Sequence, residues 1–154
     1  MAADALALFG SNAASRGSPA PGLPSEVLVP PRVTIGGLRG RPVAIVFWAS
    51  WCGPCREEAP ALARLSHDLG RRGSLVGVDW EDSRSAALAF VHEYGWTFPV
   101  LRASADGLAE RYGIVGLPAT VIVNPAGRIM TVLPGPQTAG GLKRALGLDR
   151  HRRQ

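Results

Sequence analysis

Two cysteines, Cys52 and Cys55, are the residues of this 154-residue chain whose type and spacing can do chemistry. They enclose Gly53 and Pro54, which gives the pattern Cys-Gly-Pro-Cys. At positions i and i+3 of one helical turn, the two sulfur atoms are neighbours and can close a small disulfide ring. A Cys-x-x-Cys pattern beside a strand–helix–strand unit is typical of a redox site. The spacing therefore predicts a reversible disulfide and thiol–disulfide exchange.

The expected position of the two cysteines at the start of a helix assigns them different roles. Cys52 comes first, where unpaired N–H groups and the positive end of the helix dipole favour a thiolate. Cys55 lies one turn further on, where we expect a more buried and less acidic thiol. Cys52 is thus the predicted attacking thiol and Cys55 the resolving thiol. Pro54 fits the first turn because its missing N–H would have no helical partner there.

A structural disulfide and a zinc site are the other interpretations of the cysteine pair. A disulfide across a three-residue separation closes a very small loop and stabilises a protein little. Zinc would need two further ligands from His67, His92 and His151, and no second histidine follows His67 at the usual spacing of three to five residues. We therefore expect no metal and no cofactor beyond the redox-active disulfide itself.

A redox pair of this kind needs a strand before it and a helix after it, and the hydrophobic pattern predicts both. Residues 43–48 are continuously apolar, as in a strand buried on both faces. Apolar residues at intervals of three and four predict a helix over residues 54–69. Further strands are predicted at residues 33–35, 75–80, 119–123 and 129–133, and further helices at residues 83–94, 108–112 and 138–146.

The order of these elements predicts the fold class. The early strand–helix–strand unit requires parallel strands and a right-handed crossover. The turn at residues 124–127 predicts a late antiparallel hairpin. An α/β fold follows, with a central mixed sheet and helices on both faces. We expect a flexible Ala-, Pro-, Ser- and Gly-rich arm over residues 1–31, one domain over residues 32–147, and a basic tail over residues 148–154.

Composition narrows the classes of function. Apolar residues make up 46% of the chain, enough for a core, but no apolar run approaches the ~18 residues of a membrane-spanning helix. The net charge is +5, yet no aromatic residues are interleaved with the basic ones, so we expect no nucleic-acid partner. Residues 1–9 contain Asp4 and no basic residue, and are not predicted to be a secretion signal.

Residues 47–55 (FWASWCGPC) resemble the active-site segment of the thioredoxin superfamily. More narrowly, the chain is similar to the TlpA/ResA/DsbE branch of bacterial extracytoplasmic thiol–disulfide oxidoreductases. The similarity is carried by residues 58–60 (EAP), 77–79 (GVD), 94–100 (YGWTFPV), 112–118 (YGIVGLP) and 120–127 (TVIVNPAG). It spans about residues 33–146 and implies a thioredoxin-like fold.

The resemblance also implies a surface that binds substrate. Leu117 and Pro118 match the family's cis-proline loop, which packs beside the disulfide and offers backbone hydrogen bonds to an extended segment. A trans turn proline is the alternative. Trp51 matches the family's aromatic beside the nucleophile, which shapes this surface together with Gly53 and Pro54. The alternative for Trp51 is an ordinary core residue.

Two acidic residues are candidates for proton transfer to and from Cys55. Asp82 matches a family acid that follows the second strand, and Glu81 is the second choice. Asp82 is also a suitable N-cap for the helix that follows, which is the alternative. Val46 stands where cytosolic thioredoxins keep a buried aspartate, which argues against a plain cytosolic thioredoxin.

The function implied by the resemblance is the reduction of protein disulfides outside the cytoplasm. The implied substrate is apocytochrome c during cytochrome c maturation, and the implied electron donor is a membrane thiol transporter. The protein is expected to be a monomer, anchored to the membrane in its full-length form. An oxidant that forms disulfides in secreted proteins and a non-catalytic binding module are the alternatives. A disulfide isomerase is disfavoured because the chain has no room for a dimerisation domain.

Overall fold

The architecture follows from one fully apolar strand and the elements that pack on its two faces. The structure is a computed structural model and describes residues 14–149. Its strands are β1 (Glu26–Val29), β2 (Val43–Trp48), β3 (Ser74–Trp80), β4 (Val100–Ala103), β5 (Ala119–Val123) and β6 (Ile129–Pro134). Its α-helices are α1 (Gly53–Leu69), α2 (Arg84–Glu93), α3 (Leu108–Arg111) and α4 (Ala139–Ala145), and Gly36–Leu38 forms a 3₁₀ turn.

The six strands form one mixed sheet in the order β1-β4-β3-β2-β5-β6. Strands β2, β3 and β4 are parallel, as crossover connections through helices require. Strand β5 pairs antiparallel with β2, β6 with β5, and β1 with β4. All six residues of β2 are buried, as its apolar run predicts. The predicted mixed sheet is confirmed.

The side chains of β2 alternate between two hydrophobic cores. Val46 and Trp48 point to the core built with α1, α2 and α4, which also contains the two cysteines. Ile45 and Phe47 point to the core on the other face, with α3 and the 3₁₀ turn. The prediction of helices on both faces is confirmed, and the redox pair belongs to the face covered by α1.

The predicted start of the domain at residue 32 is wrong. Residues 26–29 form the edge strand β1, and Glu26 makes ion pairs with Arg84 and Arg102 at 2.8 and 2.9 Å. Further upstream, Gly17 and Ser18 exchange backbone hydrogen bonds with Ile129 at 2.7 and 2.9 Å. Residues 14–31 are thus part of the domain, because their pairing partners lie far along the chain. Residues 1–13 of the predicted arm and residues 150–154 of the predicted tail lie outside the described residues.

Two local predictions also differ from the structure. Residues 33–35 form no strand, because the chain turns there: the N–H of Leu38 donates to the carbonyls of Thr34 and Ile35 at 3.1 and 3.2 Å. Strand β4 was not predicted. It has only four residues, includes Arg102, and is specified by its pairing with β3 rather than by a local pattern.

Among the described residues, no helix combines the length and the apolar character needed to cross a bilayer.

Candidate active site

Cys52 and Cys55 form a disulfide where β2 leads into α1. Their Cα atoms are 5.3 Å apart. Cys52 is the N-cap of α1, and its Sγ accepts a hydrogen bond from the backbone N–H of Cys55 at 3.2 Å. An N–H of the first helical turn therefore points at the sulfur of the predicted nucleophile. In the reduced protein this arrangement favours a thiolate at Cys52.

The two sulfur-bearing residues differ little in exposure. Cys52 is 5% exposed and Cys55 is 2% exposed, in the predicted order. Gly53 and Pro54 between them are both exposed. The turn between the cysteines thus faces solvent, while both cysteines border the core on this side of the sheet.

Trp51 stands beside the disulfide on the surface. It is 59% exposed, so the interpretation of Trp51 as a core residue is wrong. Its indole Nε1 donates to the carbonyl of Glu81 at 2.8 Å. Glu81 has a positive φ of 49°, unusual for a residue other than glycine, and its side chain is exposed. Glu81 contacts the site through its main chain, and its predicted role as an acid stays a prediction.

Asp82 holds the residue that precedes Trp51. Its two carboxylate oxygens accept from the backbone N–H of Ser50 at 2.7 Å and from the Ser50 hydroxyl at 2.8 Å. The N-cap of α2 is Ser83, whose hydroxyl accepts from Ala86, so the interpretation of Asp82 as the helix cap is wrong. The contacts of Asp82 are those of a positioning group, and proton transfer to Cys55 stays a prediction.

Leu117 and Pro118 are joined by a cis peptide bond, so the trans alternative is wrong. Pro118 is buried, and its carbonyl accepts from the N–H of Gly135 at 2.9 Å. Next to this loop is an open apolar groove, lined among others by Ile114, Val115, Leu117, Val132 and Pro134. Val115 is fully exposed at 102%. Leu117 and Pro118 thus border a groove that can accept an apolar stretch of another chain.

Glu58 is a buried acid that the sequence reasoning did not single out. It follows Cys55 by one helical turn and is 2% exposed. Burial raises the pKa of its carboxyl to about 7, and the hydrogen bond from the backbone of Gln137 opposes this rise only partly. The signal was present in the sequence, since Glu58 falls on the same helical face as Cys55 and Leu62.

Asp79 is a second buried acid missed from the sequence. It is 0% exposed and lies beside Trp48 in the register of β3 with β2. Burial and the neighbouring carboxyl of Asp82 raise its pKa to about 9. An acidic residue inside the apolar run of β3 was the available signal. The sheet itself thus contributes a buried acid to this face from β3, one strand away from Val46.

Among residues 14–149, no group of three or more His, Cys, Asp or Glu residues is arranged to hold a metal ion. His67 is exposed near the end of α1 and His92 is exposed near the end of α2. His151 lies outside the described residues.

Comparisons with known proteins agree with this geometry. The model of the family described as AhpC/TSA matches residues 23–132. The thiol-disulfide oxidoreductase ResA of Bacillus subtilis is 32% identical over 130 residues, which cover 84% of this chain and 73% of ResA. The thiol:disulfide interchange protein DsbE homolog of Paracoccus denitrificans is 40% identical over 137 residues, covering 86% of this chain and 71% of the homolog.

Solved structures show the same fold. One is a secreted Mycobacterium tuberculosis disulfide oxidoreductase described as homologous to E. coli DsbE. It superposes with a TM-score of 0.67 at 25% identity, over 82% of this chain and 92% of that one. The predicted thioredoxin-like fold is confirmed.

Proposed function

The chain belongs to the AhpC/TSA family and is a thiol–disulfide oxidoreductase of the ResA/DsbE type, and from this premise we propose that it reduces protein disulfides outside the cytoplasm. The observation that carries the proposal is the Cys52–Cys55 disulfide at the N-terminus of α1. The similarity to a secreted oxidoreductase supports the compartment.

The reaction proceeds by two exchanges. The thiolate of Cys52 attacks one sulfur of the substrate disulfide, the other substrate sulfur leaves as a thiolate, and a mixed disulfide forms. Cys55, as its thiolate, then attacks Cys52, releases the second substrate sulfur and closes the Cys52–Cys55 disulfide. Two electrons pass to the substrate, and no cofactor besides the disulfide is proposed. A membrane thiol transporter is the proposed electron donor that returns the protein, acting as a monomer, to the dithiol form.

The proposed substrate is apocytochrome c, whose haem-attachment motif is Cys-x-x-Cys-His. The similarity to ResA and to a DsbE homolog supports this choice within the family. The groove beside Pro118 is apolar and open, which suits an extended, unfolded segment of such a protein. Anchoring of the full-length protein to the membrane would bring it close to both its donor and this substrate.

The reduction potential of the Cys52–Cys55 couple tests the direction of exchange. It is measured by equilibrium with glutathione or dithiothreitol buffers, in which about 30 mV changes the equilibrium tenfold. A value below roughly −220 mV supports a reductant, and a value above roughly −150 mV identifies an oxidant instead. For a value between these limits, the observed direction of transfer to an oxidised Cys-x-x-Cys-His peptide decides.

Two variants test the mechanism and the substrate. Cys52→Ser is expected to abolish reduction of insulin disulfides, and wild-type activity in this variant would contradict the proposed mechanism. Cys55→Ser is expected to trap a mixed disulfide through Cys52 with the oxidised peptide. A control peptide with the histidine replaced and the cysteines kept shows whether the motif is recognised. Equal trapping of both peptides would argue against apocytochrome c as the preferred substrate.

A further inference from the structure

Asp79 lies in the core on the same side of the sheet as the disulfide. Asp79 lies two residues after Gly77 in β3, so the two residues point to the same side of the sheet. It pairs in register with Trp48 of β2, whose side chain belongs to the core that contains the cysteines. It is 0% exposed, and neither of its carboxyl oxygens has a hydrogen-bond partner among the described residues. A buried carboxylate without partners is costly, so a group in this position favours its protonated form.

Asp82, three residues further along the chain, holds the active-site segment, defined here as residues 50–52. Both of its carboxylate oxygens are used by Ser50, at 2.7 and 2.8 Å. The preceding carbonyl, that of Glu81, accepts the indole N–H of Trp51. Residues 81 and 82 therefore hold both residues that precede the nucleophile Cys52.

Arg102 fixes the main chain of Asp82 from the other side. Its Nε and Nη2 donate to the carbonyl of Asp82 at 3.0 and 2.7 Å. Its Nη1 pairs with Glu26, which also pairs with Arg84. Its Nε is 3.9 Å from the carboxyl of Asp79, too far for a hydrogen bond but close enough to attract a charge.

The pKa values of the two carboxyls are shifted in opposite directions. Burial and the proximity of Asp82 raise the pKa of Asp79, whereas Arg102 opposes the rise. Burial alone would raise the pKa of Asp82, but the neighbouring Asp79 carboxyl and the hydrogen bonds from Ser50 outweigh it and lower the pKa. Opposite shifts in neighbouring acids are the pattern of two carboxyls of which one is protonated and the other is ionised.

We propose that Asp79 and Asp82 form a carboxyl pair that carries a single proton, on Asp79, and positions the active-site segment for exchange. While Asp79 is neutral, the Asp82 carboxylate keeps both hydrogen bonds from Ser50. When Asp79 loses its proton to solvent, a second negative charge lies buried beside Asp82. The charge of Glu26 adds to the repulsion, and the charges of Arg102 and Arg84 oppose it. The hydrogen bonds from Ser50 to Asp82 and from Trp51 to the carbonyl of Glu81 then weaken. Asp79 is a positioning residue that acts through Asp82 and does not touch the sulfurs.

The inference rests on the exchange chemistry and not on the direction of exchange or on the substrate. A first test therefore uses the oxidised protein, in which the cysteines cannot titrate. The indole N–H resonance of Trp51, assigned with Trp51→Phe, is followed by NMR from pH 6 to pH 10.5. We expect a shift with a midpoint near pH 9, the pKa of Asp79, and its loss in Asp79→Asn.

Tyr94→Phe is the matched control for this titration. It removes the phenol that contacts Arg56, whose guanidinium also donates to the carbonyl of Ser50, and leaves both aspartates in place. The alkaline shift is expected to persist in this variant. If the shift is absent from the wild type, persists in Asp79→Asn, or disappears in Tyr94→Phe, the carboxyl pair is not its source and the proposal is overturned.

The second test compares two replacements of Asp79 in the reduction of insulin disulfides as a function of pH. Asp79→Asn keeps a neutral polar group beside Asp82 and is expected to retain more activity at pH 7 than Asp79→Leu, which should lose about tenfold. The fall in the wild-type rate above pH 9 should be absent from Asp79→Asn. If Asp79 instead took the proton of Cys55 directly, Asp79→Asn would be as impaired as Asp79→Leu and would accumulate the mixed disulfide, contrary to the proposal.

Discussion

The Oε2 atom of Glu58 accepts the backbone N–H of Gln137 at 2.7 Å. Glu58 lies one turn after Cys55 in α1, and Gln137 lies in the connection from β6 to α4. In that connection Gly135 donates to the carbonyl of Pro118. A single buried carboxyl thus joins the helix of the resolving cysteine to the segment that supports the cis-proline loop.

Replacing Glu58 by glutamine should change the pH dependence of the exchange rate. The pKa of Glu58 is about 7, so its charge changes around neutral pH. The substituted amide would keep an oxygen acceptor for Gln137 but could not titrate. In the wild type we expect the plot of insulin reduction rate against pH to have an inflection near pH 7. In Glu58→Gln this inflection should be absent while the protein remains folded. Glu57→Gln, which changes an exposed neighbour, should keep the wild-type profile, and identical profiles for all three proteins would contradict the expectation.

The same variant should alter stability in a defined pH window. Glu58 has a pKa of 4.5 as its ordinary value and about 7 in the folded protein, so the folded state binds more protons than the unfolded state between these values. Its contribution to stability is therefore fully present below pH 4.5 and is lost as the pH rises to about 7. Urea unfolding should show Glu58→Gln gaining stability relative to the wild type from pH 4.5 to 7. A difference between the two proteins that stays constant across this window would show that Glu58 does not titrate as described.

The redox site and four of the six described strands, β2, β3, β5 and β6, were predictable because their signals are local. Cys52 and Cys55 sit at a strand–helix junction that hydrophobic periodicity alone predicts, and the hairpin turn at residues 124–127 has its own signature. The surroundings of the site were less predictable. The sequence offered a signal for each buried acid, since Asp79 interrupts an apolar run and Glu58 falls on the helical face of Cys55. The degree of burial, however, depends on strand pairing for Asp79 and on the packing of α1 for Glu58.

The order of the N-terminal segment was also not predictable from local sequence. Residues 14–31 have the composition of a linker, and only their contacts with distant residues order them. The hydroxyl of the buried Tyr112 donates to the carbonyl of Pro21, and Glu26 pairs with Arg102. A composition rich in Ala, Pro, Ser and Gly does not reveal such partners, because they lie 91 and 76 residues away along the chain.

Tyr112→Phe should loosen this segment without affecting the redox chemistry. The substitution removes the hydrogen bond to Pro21 and keeps the ring that packs against Phe47. We expect a loss of about 1 kcal/mol in the free energy of unfolding and faster amide hydrogen exchange in residues 14–24. Tyr94→Phe, which removes a more exposed phenol, is the control and should leave this exchange unchanged. Unaltered exchange in Tyr112→Phe would mean that other contacts hold the segment.

Trp51 should matter more for protein substrates than for small disulfides. Its ring is 59% exposed beside the nucleophile, and Val115 in the groove is fully exposed. Exposed aromatic residues of this kind often provide much of the binding energy of an interface. We expect Trp51→Ala to lower kcat/KM for insulin about tenfold, equivalent to about 1.4 kcal/mol of transition-state binding.

A small substrate separates binding from chemistry in this variant. Oxidised glutathione reaches Cys52 with little contact to the groove, so its rate should fall much less than that of insulin in Trp51→Ala. Trp51→Phe retains an aromatic ring but loses the hydrogen bond to Glu81, and it should lie between the wild type and the alanine variant. Leu88→Ala removes an apolar side chain of α2 that is 37% exposed and should affect neither substrate. Equal losses for insulin and glutathione in Trp51→Ala would place the effect of Trp51 on the reactivity of Cys52 rather than on substrate binding.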